Sequence, residues 1–143
     1  MKQAQIEFSN KLQDLSLEKI HLIAQNLQMN DEAYLYLDIY ESLLGFTKNC
    51  IKYDSDHTLI GLAHMVYGWM PTMLKNISLG KSNLIKMIQE EKLTMEILIE
   101  IVALTNNSVV GASKLLHFIE PDKYAIFDSR VYSSITGKTQ PDA

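Results

Sequence analysis

The chain is poor in the residues that cross-link, break or stiffen a polypeptide. Its 143 residues include one cysteine, three prolines and six glycines. A lone Cys50 excludes an internal disulfide, so we expect a reducing, cytoplasmic environment. The N-terminal segment lacks the apolar core of a signal peptide, and no apolar run approaches the ~20 residues of a membrane-spanning helix. We therefore expect no membrane partner.

Positive charge is also scarce, and Arg130 is the single arginine. The net charge is −4, which argues against strong non-specific attraction to nucleic acid. The acidic excess lies in residues 1–105, with 9 lysines against 13 acidic residues, whereas residues 106–143 carry four of each sign. The C-terminal stretch is therefore neither acidic nor a basic patch.

The hydrophobic periodicity predicts an all-α fold, because no segment alternates with period two and helix breakers are few. We expect one domain, residues 1–143, built as a compact bundle of about seven helices. Residues 1–105 form a helical scaffold, residues 106–137 a hairpin-like turn, a helix and an Asp-capped helix, and residues 138–143 a polar tail. Residues 94–105 are apolar almost all round, which is typical of a central helix. Inward faces are predicted at Leu17, Ile20, Ala24 and Leu27, and at Leu35, Ile39, Leu43 and Phe46.

Two pairs of residues invite a metal interpretation. His57 and His64 share a helix face with Gly61 and Gly68, but seven helical residues separate them by ~10 Å along the axis, too far to share one ion. Glu96 and Glu100 stack four residues apart, yet no third ligand accompanies them, so a solvated stripe explains them better. The sequence predicts no metal and no cofactor.

The most informative stretch runs from Asn106 to Gly137. Asn106, Asn107 and Ser108 tolerate left-handed backbone and cap helices. A short helix follows and is broken at Glu120-Pro121-Asp122. An apolar approach then leads to Asp128, which is a natural N-cap for a last helix ending at Gly137.

This order of parts resembles the helix-hairpin-helix DNA glycosylase superfamily. The segment Ile126-Phe127-Asp128-Ser129-Arg130-Val131 is similar to the family's aspartate segment, and Val110-Gly111-Ala112-Ser113-Lys114 to the start of its second hairpin helix. The resemblance implies DNA as a partner, with Asp128 as the catalytic carboxylate. Ser113 occupies the position where lyase-active members carry a lysine, and Lys114 lies one residue beyond. The implied nucleic-acid contacts are Asn106, Asn107, Gly111, Lys114 and Arg130.

The chain also departs from the family pattern. The hairpin keeps one glycine of the usual two, no cysteine cluster for iron–sulfur is present, and the helices that normally follow the aspartate are missing. Asp128 is therefore open to two interpretations, a catalytic group that stabilises an oxocarbenium-like state or a helix cap.

Two function classes follow from these observations. The first is a nucleic-acid-associated domain, a reduced or inactive base-excision scaffold. The second is a non-catalytic helical interaction or structural module. The short last helix needs cover for Val131, Tyr132 and Ile135. Either a predicted N-terminal helix around Phe8 and Leu12 or a second copy of the chain can supply it, and we favour a homodimer.

Overall fold

A computed structural model describes residues 16–26, 30–53, 55–70, 72–75, 83–90 and 93–137. These ranges contain helices joined by turns and loops, with no strand among them. The helices are α1 (Leu17–Gln25), α2 (Asp31–Cys50), α3 (Asp56–Trp69), α4 (Leu84–Gln89), α5 (Met95–Leu104), α6 (Val109–Ile119) and α7 (Ser129–Thr136). The predicted all-α class is confirmed. The helix predicted around Phe8 and Leu12 and the polar tail lie outside the described residues.

The chain divides into two units. One is the continuous segment Leu37–Phe127, and the other combines Met1–Tyr36 with Asp128–Ala143. The hairpin residues predicted for DNA binding belong to the first unit, whereas Asp128 and Arg130 belong to the second. Whether the chain folds as one domain stays a prediction.

The hydrophobic core of the Leu37–Phe127 unit is organised around α6. This helix packs against α3, α4 and α5, and α3 also packs against α4. Because α6 buries residues on several sides, it takes the central position that the sequence suggested for residues 94–105. Helix α5 is buried on one side only, since Ile97, Ile101 and Leu104 are buried whereas Met95 and Ile99 are exposed. The largest fully buried apolar side chains of the core are Leu62, Val66, Ile85, Ile88, Ile101, Leu115 and Phe118.

Local capping residues set the helix ends, and those at Ser108, Asp128 and Gly137 agree with the sequence prediction. The Ser16 hydroxyl accepts a hydrogen bond from the Lys19 amide at 3.2 Å at the start of α1. Ser108 caps α6, and Asp128 caps α7. Gly137 ends α7 in a left-handed conformation with φ of 67°, which is the backbone geometry that glycine adopts most easily.

The predicted inward face of α2 is largely wrong. Leu35, Ile39 and Phe46 are 59%, 40% and 56% exposed, and only Leu43 is half-buried. The core side of α2 instead carries Thr47, which is fully buried and satisfies its hydroxyl by donating to Leu43 O at 2.9 Å. Leu17 and Ile20, which are predicted to face inward from α1, are exposed as well, whereas Leu27 and the side chain of Ala24 lie outside what the structure describes. Both helices are apolar on more than one side, so periodicity alone could not choose the buried side.

None of the described helices is by itself long and apolar enough to cross a membrane; α5 and α6 reach that length and hydropathy only together, across a bend of 105°.

Candidate nucleic-acid interface

Helices α5 and α6 form a helical hairpin. A four-residue turn, Thr105–Ser108, joins them. Asn106 and Asn107 both have φ of 57°, a left-handed geometry that asparagine tolerates better than most residues. Thr105 anchors the turn, because its buried hydroxyl donates to Ile101 O at 2.8 Å. The sequence prediction of a left-handed asparagine turn is confirmed.

Asn106, a predicted nucleic-acid contact, uses its side-chain amide inside the protein. Its Oδ1 accepts from the Lys75 backbone amide at 2.7 Å, and its Nδ2 donates to Met73 O at 2.8 Å. Both groups of the amide therefore hold the segment after α3 against the hairpin turn. Asn107 is exposed.

Gly111 has a packing role at the start of α6. Its amide donates to the Ser108 hydroxyl at 3.1 Å. A Cβ atom at this position would collide with the Tyr67 hydroxyl and would lie 3.1 Å from Thr105 Cβ. Tyr67 is buried and donates to Thr105 O at 2.6 Å. The absence of a side chain thus lets Tyr67 reach the turn.

The first two amides of α6 differ from that of Gly111. Among the described residues, the N–H groups of Val109 and Val110 make no hydrogen bond. Val109 is 60% exposed. The helix therefore presents unbonded donors beside the turn, where the helix dipole also favours an anion.

The side chains of Ser113 and Lys114 both make contacts within the chain. Ser113 occupies the position at which lyase-active members of the superfamily carry a lysine, and Lys114 is the next residue. The Ser113 hydroxyl accepts from the Phe127 amide at 3.0 Å, and its proton can go to Val110 O at 2.9 Å or Phe127 O at 3.0 Å. The Lys114 ammonium lies 5.7 Å from the centre of the Trp69 ring, within the range of a cation–π contact. Ser113 thus holds the residue that directly precedes Asp128.

Asp128 is the N-cap of α7, so the structural interpretation of this residue is confirmed. Its Oδ1 accepts from the backbone amides of Arg130 at 3.0 Å and Val131 at 2.9 Å. Arg130 is exposed beside it. Such a cap satisfies two of the amides that a helix start leaves unpaired. The catalytic interpretation stays a prediction.

His117 makes two hydrogen bonds, to Tyr40 and to Tyr124, that the sequence did not indicate. Its Nδ1 lies 2.7 Å from Tyr124 O, and its Nε2 lies 2.5 Å from the Tyr40 hydroxyl. A carbonyl only accepts, so Nδ1 carries the proton and Nε2 of the neutral ring accepts from Tyr40. Burial raises the pKa of the Tyr40 hydroxyl above its ordinary value. Because 77 residues separate Tyr40 from His117, no local spacing could have found this contact.

Aromatic rings pack around the Tyr40–His117 hydrogen bond. Phe118 lies 5.6 Å from Tyr40 and 5.4 Å from Trp69, measured between ring centres. The Trp69 indole N–H is buried and has no hydrogen-bond acceptor among the described residues. Both nitrogens of His117 are engaged within the Leu37–Phe127 unit, so the ring is a packed structural element.

Comparison of the chain with protein-family models, with curated proteins and with solved structures gave no significant match.

Proposed function

We propose that this protein is a nucleic-acid-binding domain on a scaffold like that of the helix-hairpin-helix DNA glycosylases, and that it binds DNA without excising a base. The observation that carries the proposal is the pair of unbonded amides of Val109 and Val110 at the start of α6. Helix N-termini of this kind bind phosphate through backbone N–H groups and the helix dipole.

The shape of the hairpin supports the same proposal. The chain changes direction by 105° between α5 and α6. This angle lies in the range of helix-turn-helix and related DNA-binding helix pairs. The anchors at Asn106 and Gly111 fix the turn from inside the protein. A rigid turn loses little conformational entropy when it binds a phosphate.

The hydrogen bonds of the candidate catalytic residues favour binding without chemistry. Asp128 Oδ1 caps α7 through two amides. The Ser113 hydroxyl is committed to the backbone of Phe127. A nucleophile or general base must instead face the substrate within hydrogen-bond reach.

The decisive experiment compares Val109→Pro with Val109→Ala. Proline removes only the amide donor at the first position of a helix, where it is well tolerated. Ser108, with φ of −105° and ψ of 116°, already has the extended backbone that a following proline requires. Fluorescence anisotropy with a labelled duplex at low salt measures the affinity. Since a hydrogen bond to a charged group contributes about 1.5–3 kcal/mol, Val109→Pro should weaken binding by about 10- to 150-fold.

Several controls accompany this comparison. Val109→Ala should bind within about twofold of wild type because it keeps the donor. The affinity should fall with salt with a log–log slope of about −0.9 for each duplex phosphate contacted, and Lys114→Gln should reduce the slope if Lys114 contacts one. No binding at low salt, or unchanged binding by Val109→Pro, would contradict the proposal. Base release that is lost in Asp128→Asn would contradict its non-catalytic part.

A second candidate, a self-associating interaction module, is favoured by the exposed apolar face of α2. Ile39 and Phe46 are seven residues apart, so they share one face, and they are 40% and 56% exposed. Exposed apolar patches mark interaction surfaces, and two-fold self-association is the commonest arrangement. Sedimentation velocity at micromolar concentration should then give a dimer of the 16.3 kDa chain. Phe46→Ser should restore the monomer, whereas Tyr53→Ser, a change outside α2, should not. A wild-type monomer would rule this candidate out.

A further inference from the structure

A cleft of about 730 Å³ opens in the Leu37–Phe127 unit, bordered by α2, α4 and the end of α6. Its volume lies in the range of small-molecule sites. None of the hairpin residues from 105 to 111 lines it. The cleft is therefore separate from the surface proposed to contact DNA.

Three lysines, Lys48, Lys52 and Lys86, are among the residues that line this cleft. Within the described residues Lys48 and Lys52 form no ion pair, and Lys52 donates to Asn49 Oδ1 at 3.2 Å. Lys86 pairs with Glu90 at 3.8 Å and stays 65% exposed. The lining therefore carries three lysines against two acidic residues, Glu120 and Asp122, in a chain of net charge −4. This local excess of positive charge favours an anion.

The cleft also offers apolar surface and space. Leu44 and Ile51 line it and are only half-buried. Gly45 directly follows Leu44 and precedes Lys48 by three residues, inside a 20-residue helix, and a Cβ at this position would have no atom within 4 Å. Glycine weakens a helix interior, and no neighbour requires one at this position. What the glycine provides is open volume along the cleft wall.

We infer that this cleft binds a small amphiphilic anion, with one phosphate or carboxylate head group at Lys48, Lys52 and Lys86 and an apolar chain along Gly45 and Ile51. The loop after α6 adds Glu120 and Asp122 to the lining. Their negative charge opposes a second anionic group. The cleft thus selects a ligand with one anionic head over an extended polyanion.

Isothermal titration with decyl phosphate, kept below its micelle concentration, tests the inference. Lys48→Gln/Lys52→Gln should weaken binding at least tenfold, and Gly45→Leu should abolish it by filling the cleft. Lys75→Gln is the control for lost charge, because Lys75 is exposed and lies outside the lining. Gly68→Leu is the matched control for the glycine change, since Gly68 is also helical with no atom within 4 Å of a built Cβ. Both controls should bind within twofold of wild type.

Further ligands define the chemistry that is recognised. Decanoate should bind if charge and an apolar chain suffice, and decyl maltoside, with the same chain and a neutral head, should bind at least tenfold more weakly. Circular dichroism confirms the fold of each variant. Val109→Pro should bind decyl phosphate like wild type, which separates this site from the DNA-binding proposal.

The inference is overturned if neither decyl phosphate nor decanoate binds, or if the Gly45 and lysine variants bind as well as wild type. A vesicle arm distinguishes a soluble ligand from a membrane lipid. Sedimentation with phosphatidylcholine vesicles containing phosphatidate should show no binding beyond that of the lysine variant. Binding to these vesicles without binding to monomeric decyl phosphate also overturns the cleft site.

Discussion

Replacing Gly111 by alanine should destabilise the protein, whereas the same change at Gly68 should not. At Gly111 a Cβ would lie 3.1 Å from both Thr105 Cβ and Tyr67 Cζ, and closer still to the Tyr67 hydroxyl. Tyr67 is only 2% exposed and is held by its hydrogen bond to Thr105 O. It therefore has little room to move away.

The expected size follows from three contributions. Forcing a methyl group into a packed core costs about 1–3 kcal/mol. Weakening the Tyr67 hydrogen bond costs about 1 kcal/mol more. The better helix propensity of alanine offsets about 1 kcal/mol of this. We expect Gly111→Ala to lower the free energy of unfolding by about 2 kcal/mol, and Gly68→Ala, which has open space, to raise it by up to about 1 kcal/mol.

Urea unfolding followed by circular dichroism measures both changes. Tyr67→Phe supplies a second check, because it removes the hydroxyl that the new methyl group would meet. Thr105 O still accepts from the Ser108 amide at 2.9 Å in that variant. The double variant Gly111→Ala/Tyr67→Phe should then be more stable than the sum of the single changes by about 1 kcal/mol. A Gly111→Ala protein as stable as wild type would refute the close approach of Tyr67.

Two further predictions concern Asp128 and the two tyrosines Tyr40, which is half-buried, and Tyr67, which is buried. Asp128→Asn should keep nearly full stability because asparagine caps as well as aspartate, whereas Asp128→Ala should lose about 1 kcal/mol in urea unfolding; equal stability of all three would show that the cap contributes nothing. Burial raises the pKa of Tyr40 and Tyr67 above the ordinary value of 10.0. The stability that this contributes is complete below pH 10 and is lost as the pH rises through the folded-state pKa values. The urea concentration at the unfolding midpoint should therefore decrease as the pH is raised above 10, and it should decrease less in Tyr40→Phe and in Tyr67→Phe than in wild type. If both variants show the same decrease as wild type, the prediction is contradicted.

Much of the fold could be predicted because it is encoded locally. Ser16, Ser108, Asp128 and Gly137 cap helices through atoms within four residues. The left-handed asparagines follow from the tolerance of that residue for such backbone. The buried side of α2 could not be predicted, because Ile39 and Phe46 satisfy helical periodicity as well as Leu43 does.

For the candidate nucleic-acid interface, the sequence predicted the backbone conformation of the α5–α6 turn but not the contacts that its side chains make. The sequence placed Asn106 and Gly111 in a hairpin turn, yet it could not show that the partners of Asn106 are Met73 and Lys75, more than 30 residues away. The same holds for the lysines around the cleft, which come from α2, the turn after it and α4. Contacts between distant segments depend on how helices pack, and packing has no signature in local spacing.

The anchoring of the α5–α6 turn has a consequence for how the protein folds. Tyr67 and the segment 73–75 hold residues 105 and 106 from 31 to 38 positions away in the chain. Closing loops of that length costs entropy before any contact compensates for it. The hairpin thus acquires its rigid geometry only when the C-terminal end of α3 has docked. An excised α5–α6 peptide would carry every residue of the motif and still lack the information that gives it its shape.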